Sequence, residues 1–259
     1  MADRGTDADR GTGTVYDRIG GQYARGRRED PRIAARVWAA LGDASSVVNV
    51  GAGAGSYEPR DRRVVPVEPS AVMVSQRPPG LAPAVRAVAE ALPFADGAFD
   101  AAMGVLTLRH WSDKSRGLAE MRRVARGPVV LLTGDSEIIG SWWLPARYFP
   151  AAGRVAVGSA YPLDRIAEEL GGAEAVTVPI PADCKDGFDG AYWRRPRAVL
   201  DPAVWQGMSA LRLISDEERA DGLRRLAADL DSGEWDRRFG HLLELDELDL
   251  GFRLVVARR

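Results

Sequence analysis

Three alternating glycines, Gly51, Gly53 and Gly55, follow the apolar run Val47-Val48-Asn49-Val50, and an acid, Glu68, ends a second run, Val64-Val65-Pro66-Val67. That spacing suits recognition of an adenosine. Glycine where a parallel strand ends lets the backbone take φ > 0 and approach a ligand closely. A carboxylate at the tip of the next strand can accept hydrogen bonds from both hydroxyls of a ribose. Asn49, Ala52 and Pro69 border the same two tips. A dinucleotide fingerprint would put its third glycine at position 56. Ser56 stands there, with Gly55 one residue early, so a nicotinamide oxidoreductase is the poorer reading.

A second chemical signal lies at Thr107-Leu108-Arg109-His110-Trp111-Ser112-Asp113, directly after an apolar run expected as the strand Phe99 to Leu106. Ligands of open α/β sheets sit beyond the carboxyl ends of the strands. His110 there can accept a proton from a hydroxyl or amine, or simply orient a loop. His241 precedes an acidic stretch and reads as structural. Cys184 is the one cysteine, so no disulfide framework exists, and no Cys/His group has metal-ligand spacing. No metal is expected.

The elements that must position these residues follow from pattern. Asp30-Pro31 is an N-cap and first-turn proline, and the helix Arg32 to Leu41 puts Ile33, Val37, Trp38 and Leu41 on one face before Gly42. Strands are expected at Val47–Val50, Val64–Val67, Ala84–Val88, Phe99–Leu106, Pro128–Thr133, Ala175–Ile180 and Phe252–Ala257. A short helix, Ala71 to Gln76, carries Met73, and Asp113 caps a helix reaching Arg126. Between Gly55 and Val64 only eight residues remain. A parallel crossover normally takes about a dozen or more, so no full helix fits there.

The chain of 259 residues is long enough for one α/β domain plus an insertion, and its formal charge of −2 invites no nucleic acid. Residues 1–13 are polar and expected as a disordered tail, 14–259 as the folded domain, with 14–45 a helical lead-in and 181–250 a mostly helical insertion. No stretch is apolar enough for a signal peptide or membrane span, so a cytoplasmic protein is expected, and it is taken as a monomer or homodimer.

The glycine spacing resembles motif I of the class I S-adenosylmethionine (SAM) methyltransferases. Ala89-Glu90-Ala91-Leu92-Pro93-Phe94-Ala95-Asp96-Gly97-Ala98-Phe99-Asp100 closely resembles the A-E-x-L-P-F-x-D-x-x-F-D signature of their type-11 family. The Thr107–Asp113 segment is similar to that family's L-x-L-H-H-x-x-D, with Arg109 replacing the first His. The resemblance runs to about Thr133, the first half of the chain. It implies a Rossmann-like α/β fold whose seven-stranded sheet is mostly parallel, with a helical insertion between the last two strands. It also implies SAM as cofactor, S-adenosylhomocysteine (SAH) as product, and an O, N or C nucleophile of a small molecule, such as a secondary metabolite, as acceptor. By the same resemblance Ala89 and Glu90 lie on the adenine edge and Leu106 faces the cofactor, while Met73, from its short helix, packs either on the ring or in the core. Tyr23 and Arg27 would close over it, Arg27 pairing with its carboxylate. Two departures stand out: the short loop after Gly55, and Val88 where the family often has an Asp contacting adenine.

Two aromatic runs fall outside the resemblance, Ser141 to Pro150 and Phe188 to Pro196. Trp142, Trp143, Arg147, Tyr148, Tyr192 and Trp193 suit a pocket for a planar or amphiphilic acceptor, or bury the insertion against the sheet. Two other readings stay open: a SAM-binding protein that organises a reaction such as a cyclisation without methyl transfer, and a non-catalytic binding protein.

Overall fold

The computed structural model describes Asp17 and residues 26–258. Tyr23 and the expected tail 1–13 lie outside the described residues. Helix α1 (Pro31–Ala40) starts where expected, with Asp30 accepting a hydrogen bond from the Arg32 backbone N–H at 3.0 Å. It buries Ile33, Ala34 and Val37 against the sheet, and Gly42 leaves it in the left-handed region at φ 58°.

Strands β1 (Ser46–Val50), β2 (Arg63–Val67), β3 (Ala101–Val105) and β4 (Val129–Gly134) are parallel neighbours in the spatial order β2-β1-β3-β4. Strand β8 (Phe252–Ala257) lies antiparallel beside β4, and β5 (Glu174–Thr177) closes the edge beside β8. The sheet therefore has six strands, not the seven expected. The strand read at Ala84–Val88 shrinks to a bridge at Val85, which donates to the Pro66 carbonyl at 2.8 Å and accepts from the Glu68 N–H at 3.0 Å. The next donor on that side would be residue 83, and Pro83 has no N–H to give. The strand read at Ala175–Ile180 also splits. Its end becomes β6 (Ile180–Pro181), which pairs with β7 (Glu247–Leu248) and closes the base of the insertion.

Helices α2 (Ala71–Ser75) and α3 (Lys114–Val124) follow β2 and β3, capped by the side chains of Ser70 and Asp113. Between β4 and β5 run α4 (Pro150–Ser159) and α5 (Leu163–Glu169). The insertion carries α6 (Pro202–Trp205), α7 (Ser209–Leu213), α8 (Asp216–Asp231) and α9 (Glu234–Phe239). One core packs α1 on one face of the sheet, and a second packs α3 and α5 on the other. A third joins the start of the β4–β5 connection, Trp143 to Ala152, to the insertion through Val199, Leu211, Leu226 and Trp235. These two segments make one cap over the strand tips. Among the described residues no helix is long and apolar enough to cross a membrane.

Candidate active site

No helix follows the glycine loop, in keeping with its length, and side chains hold it instead. Arg77 pairs with Glu58 through two hydrogen bonds of 3.0 and 2.9 Å, both side chains nearly buried, and Asn49 donates to the same carboxylate at 3.2 Å. The Trp38 indole donates to the Tyr57 carbonyl at 2.9 Å, where Tyr57 itself sits at φ 65°. Gly51 (φ 73°) lies so close to Thr107 that a Cβ would stand 1.8 Å from its hydroxyl oxygen. The loop is thus pressed against the end of β3.

Glu68 anchors the other side. Its Oε2 accepts from the Gly53 N–H and its Oε1 from the Ser70 N–H, each at 2.8 Å. Burial raises its pKa, against the lowering effect of those two donors. The carboxylate keeps lone pairs facing a cavity of about 1300 Å3, part of it open to solvent. Asn49, Gly51, Ala52, Gly53, Pro69 and Met73 line this cavity, as do Ala89, Glu90, Leu106, His110 and Arg27. The described cofactor candidates therefore converge, with one exception. Gly55 is not in the lining: its φ of 98° and a Leu81 methyl 2.3 Å from any Cβ make it a packing glycine. Glu90 lines the cavity, but its carboxylate accepts from the Ser112 and Asp113 N–H groups at 2.8 and 3.0 Å. Its side chain shapes the loop after β3. Val88, 45% exposed, presents an apolar side chain to the cavity where an acid was noted missing.

A second cavity of about 930 Å3, part of it open to solvent, lies under the cap and shares Arg27, Leu106 and His110 with the first. Its walls are largely apolar, with Ile139, Trp142, Phe149, Phe188, Leu211 and Phe252 among them. Leu106, where the two cavities meet, has φ 55°, a conformation costly for a branched side chain and concentrated at functional positions. His110 follows in a single 3₁₀ turn, Leu108–His110.

Of the six acceptor candidates only Trp142 lines this cavity. The others hold the cap together. Trp143 sits edge-on to Trp235, with centroids 5.4 Å apart, and donates to the Trp193 carbonyl at 2.8 Å. Trp193, fully buried, donates to the Ile180 carbonyl at 2.9 Å. Arg147 and Tyr148 both bind Asp229 at 2.8 Å, and the Arg195 guanidinium lies 4.7 Å from the Tyr192 ring centroid. An aromatic run does not say which rings face a cavity, and here the cap needs its own core. Phe149, Phe188 and Asp189 fall inside the two aromatic runs but outside the six named candidates, and Phe252 reads in the sequence only as the start of the last strand.

A family model described as a methyltransferase domain matches residues 48–132. A solved structure from Anabaena variabilis ATCC 29413, assigned as a methyltransferase of an antibiotic biosynthesis pathway, is 32% identical, covering 90% of this chain and 98% of its own, at a TM-score of 0.83. The chain belongs to the type-11 family of class I SAM-dependent methyltransferases. Two further structures share the fold at low identity. One, from Galdieria sulphuraria, is assigned as a sarcosine dimethylglycine methyltransferase (16% identity, 88% and 84% of the two chains, TM-score 0.54). The other is the [4+2]-cyclase SpnF (18% identity, 95% and 94%, TM-score 0.53). No curated protein matches the sequence.

The residues present fit SAM: an anchored carboxylate with free lone pairs, backbone-close glycines, and an apolar wall at Met73, Val88 and Ala89. Arg27 departs from its expected role in this methyltransferase. Its Nε and Nη2 are committed to Asp186 at 2.5 and 3.0 Å, so that edge is not offered to the cofactor carboxylate. Asp186 also accepts from the Tyr57 hydroxyl at 2.9 Å. Arg27 thus ties the segment before α1 to the insertion.

His110 differs from expectation as well. Burial, then the charges of Arg109, Arg27 and Lys114, bring its pKa down to about 3. The imidazole is therefore neutral from pH 5 upward, and so weak a base takes up little of a proton in the transition state. The pH profile of kcat/KM should therefore show no limb near the ordinary histidine value. Comparing profiles of the wild type and His110→Gln from pH 5 to 8 checks this. An inflection near 6.5 that disappears in the variant would contradict it.

Proposed function

We propose that this methyltransferase acts on an O, N or C nucleophile of a small, largely apolar molecule held in the second cavity. One observation carries the reading: the cofactor-fitting cavity and the apolar cavity meet at Leu106, His110 and Arg27. SAM, when bound, supplies an electrophilic methyl group. What the chain contributes is position. Glu68 and the glycine loop fix one partner, and Trp142, Phe149 and Phe252 confine the other and exclude water. Alignment of this kind can lower a barrier by several kcal/mol without a dedicated base. The neutral His110 can accept a hydrogen bond from the acceptor and orient it. The Anabaena protein's assignment to an antibiotic pathway supports a secondary metabolite as acceptor.

The test is mass spectrometry on a panel of apolar hydroxylated and aminated compounds incubated with enzyme and SAM. A product heavier by one CH2, formed with an equal amount of SAH, is expected. An acceptor converted without SAH release would contradict methyl transfer.

A further inference from the structure

The second cavity is largely apolar, but besides Arg27, His110, Thr133 and Ser209 it is bordered by Arg109 and Asp189. Arg109 is an unusual neighbour for so many hydrocarbon walls. Its Nε and Nη2 are shielded from solvent and make no hydrogen bond among the described residues. Those two atoms are one edge of the guanidinium, the fork that takes a carboxylate side-on. The same edge of Arg27 does so with Asp186, at 2.5 and 3.0 Å. Arg77 holds Glu58 through its other edge, with Nη1 and Nη2 at 3.0 and 2.9 Å. Arginines flanking the site therefore have carboxylate partners, and Arg109 has none.

Asp189 is the nearest candidate and does not fill the role. It feels the charge of Arg109, yet no ion pair within 4.0 Å joins the two among the described residues. Both border one cavity without pairing with each other. A desolvated, unpaired fork is costly to keep, and a carboxylate is the group that satisfies both atoms at once. Arg109 follows β3 in the same 3₁₀ turn as His110, so an anion held there sits one residue from the junction of the two cavities.

We infer that Arg109 is a specificity residue that selects an acceptor carrying a carboxylate on an apolar, ring-sized body. The inference rests on the methyltransferase reading, and it adds the chemical class of the acceptor. Reaching the carboxylate requires Arg109 to turn its occluded edge from the wall toward the cavity. No hydrogen bond from that edge opposes the motion.

The experiment is calorimetric titration with 2-naphthoate and its neutral isostere 2-naphthamide, each in saturating SAH. Wild type, Arg109→Gln and Arg109→Lys are compared, and SAH itself is titrated into all three. Naphthoate should bind wild type at least tenfold more tightly than naphthamide. Arg109→Gln should remove that preference while leaving naphthamide and SAH within about twofold. Arg109→Lys, with charge but no fork, should restore only part of it. Equal affinity of wild type for both probes, or full rescue by lysine, would overturn the carboxylate assignment. Should Arg109→Gln weaken both probes alike, Arg109 is a wall and the assignment also falls. Failure of SAH to bind wild type would instead sink the cofactor reading on which this one stands.

Discussion

Glu68→Ala is expected to weaken SAH and SAM binding by about a hundredfold, close to 3 kcal/mol, measured by calorimetry. Two losses add. The ribose hydroxyls lose a charged acceptor. The Gly53 and Ser70 N–H groups, each 2.8 Å from the carboxylate, lose the partner that holds the loop and the start of α2 together. Glu68→Gln should be little better, because its amide NH2 must face one of those two N–H donors. An affinity within threefold of wild type for either variant would mean that the carboxylate does not meet the cofactor.

Arg27→Met should cost about 3 kcal/mol of folding stability. The side chain of Asp186 is fully buried, and without Arg27 it keeps, among the described residues, the Tyr57 hydroxyl and the Gly187 N–H as donors. Because this pair ties the segment before α1 to the insertion, the same variant should raise KM for both SAM and the acceptor. Chemical denaturation of Arg27→Met, Asp186→Asn and the double variant separates the pair from its parts. The double variant should recover part of the loss of Arg27→Met, since removing both charges spares the uncompensated carboxylate. Strict additivity would show that the two side chains do not interact.

Local signals carried most of the cofactor side. The glycine spacing, Glu68 and the Ala89–Asp100 segment lie near each other in sequence, and each records a backbone constraint that the fold enforces. Even the missing helix after Gly55 was readable, because eight residues cannot cross over and pack. Gly55 misled for the opposite reason. Its glycine answers to Leu81, which no local pattern links to it. The strand read at Ala84–Val88 is reduced to the bridge at Val85, and Pro83 has no N–H to extend it toward its start.

The acceptor side was far less legible. The cavity proposed for it draws on the turn after β3, on β4, the β4–β5 connection, the insertion and β8, so no window of sequence contains it. The aromatic runs fall in the cap, and one of the six named residues, Trp142, lines its cavity. Their roles within it depend on packing: Trp143, Trp193 and Trp235 fill a core, while Trp142, one residue from the first of them, faces the cavity. His110 was placed correctly in the chain, but its basicity belongs to three surrounding cations and to burial. Charge state is a property of the assembled site.

The account stands on where the cofactor lies, and a crystal structure of the protein with SAH tests that directly. The ribose should lie on Glu68, the adenine between Met73 and Val88–Ala89, and the sulfur should point past Leu106 and His110 into the apolar cavity. SAH with its ribose away from Glu68, or with its sulfur turned from the Leu106 junction, would contradict the account.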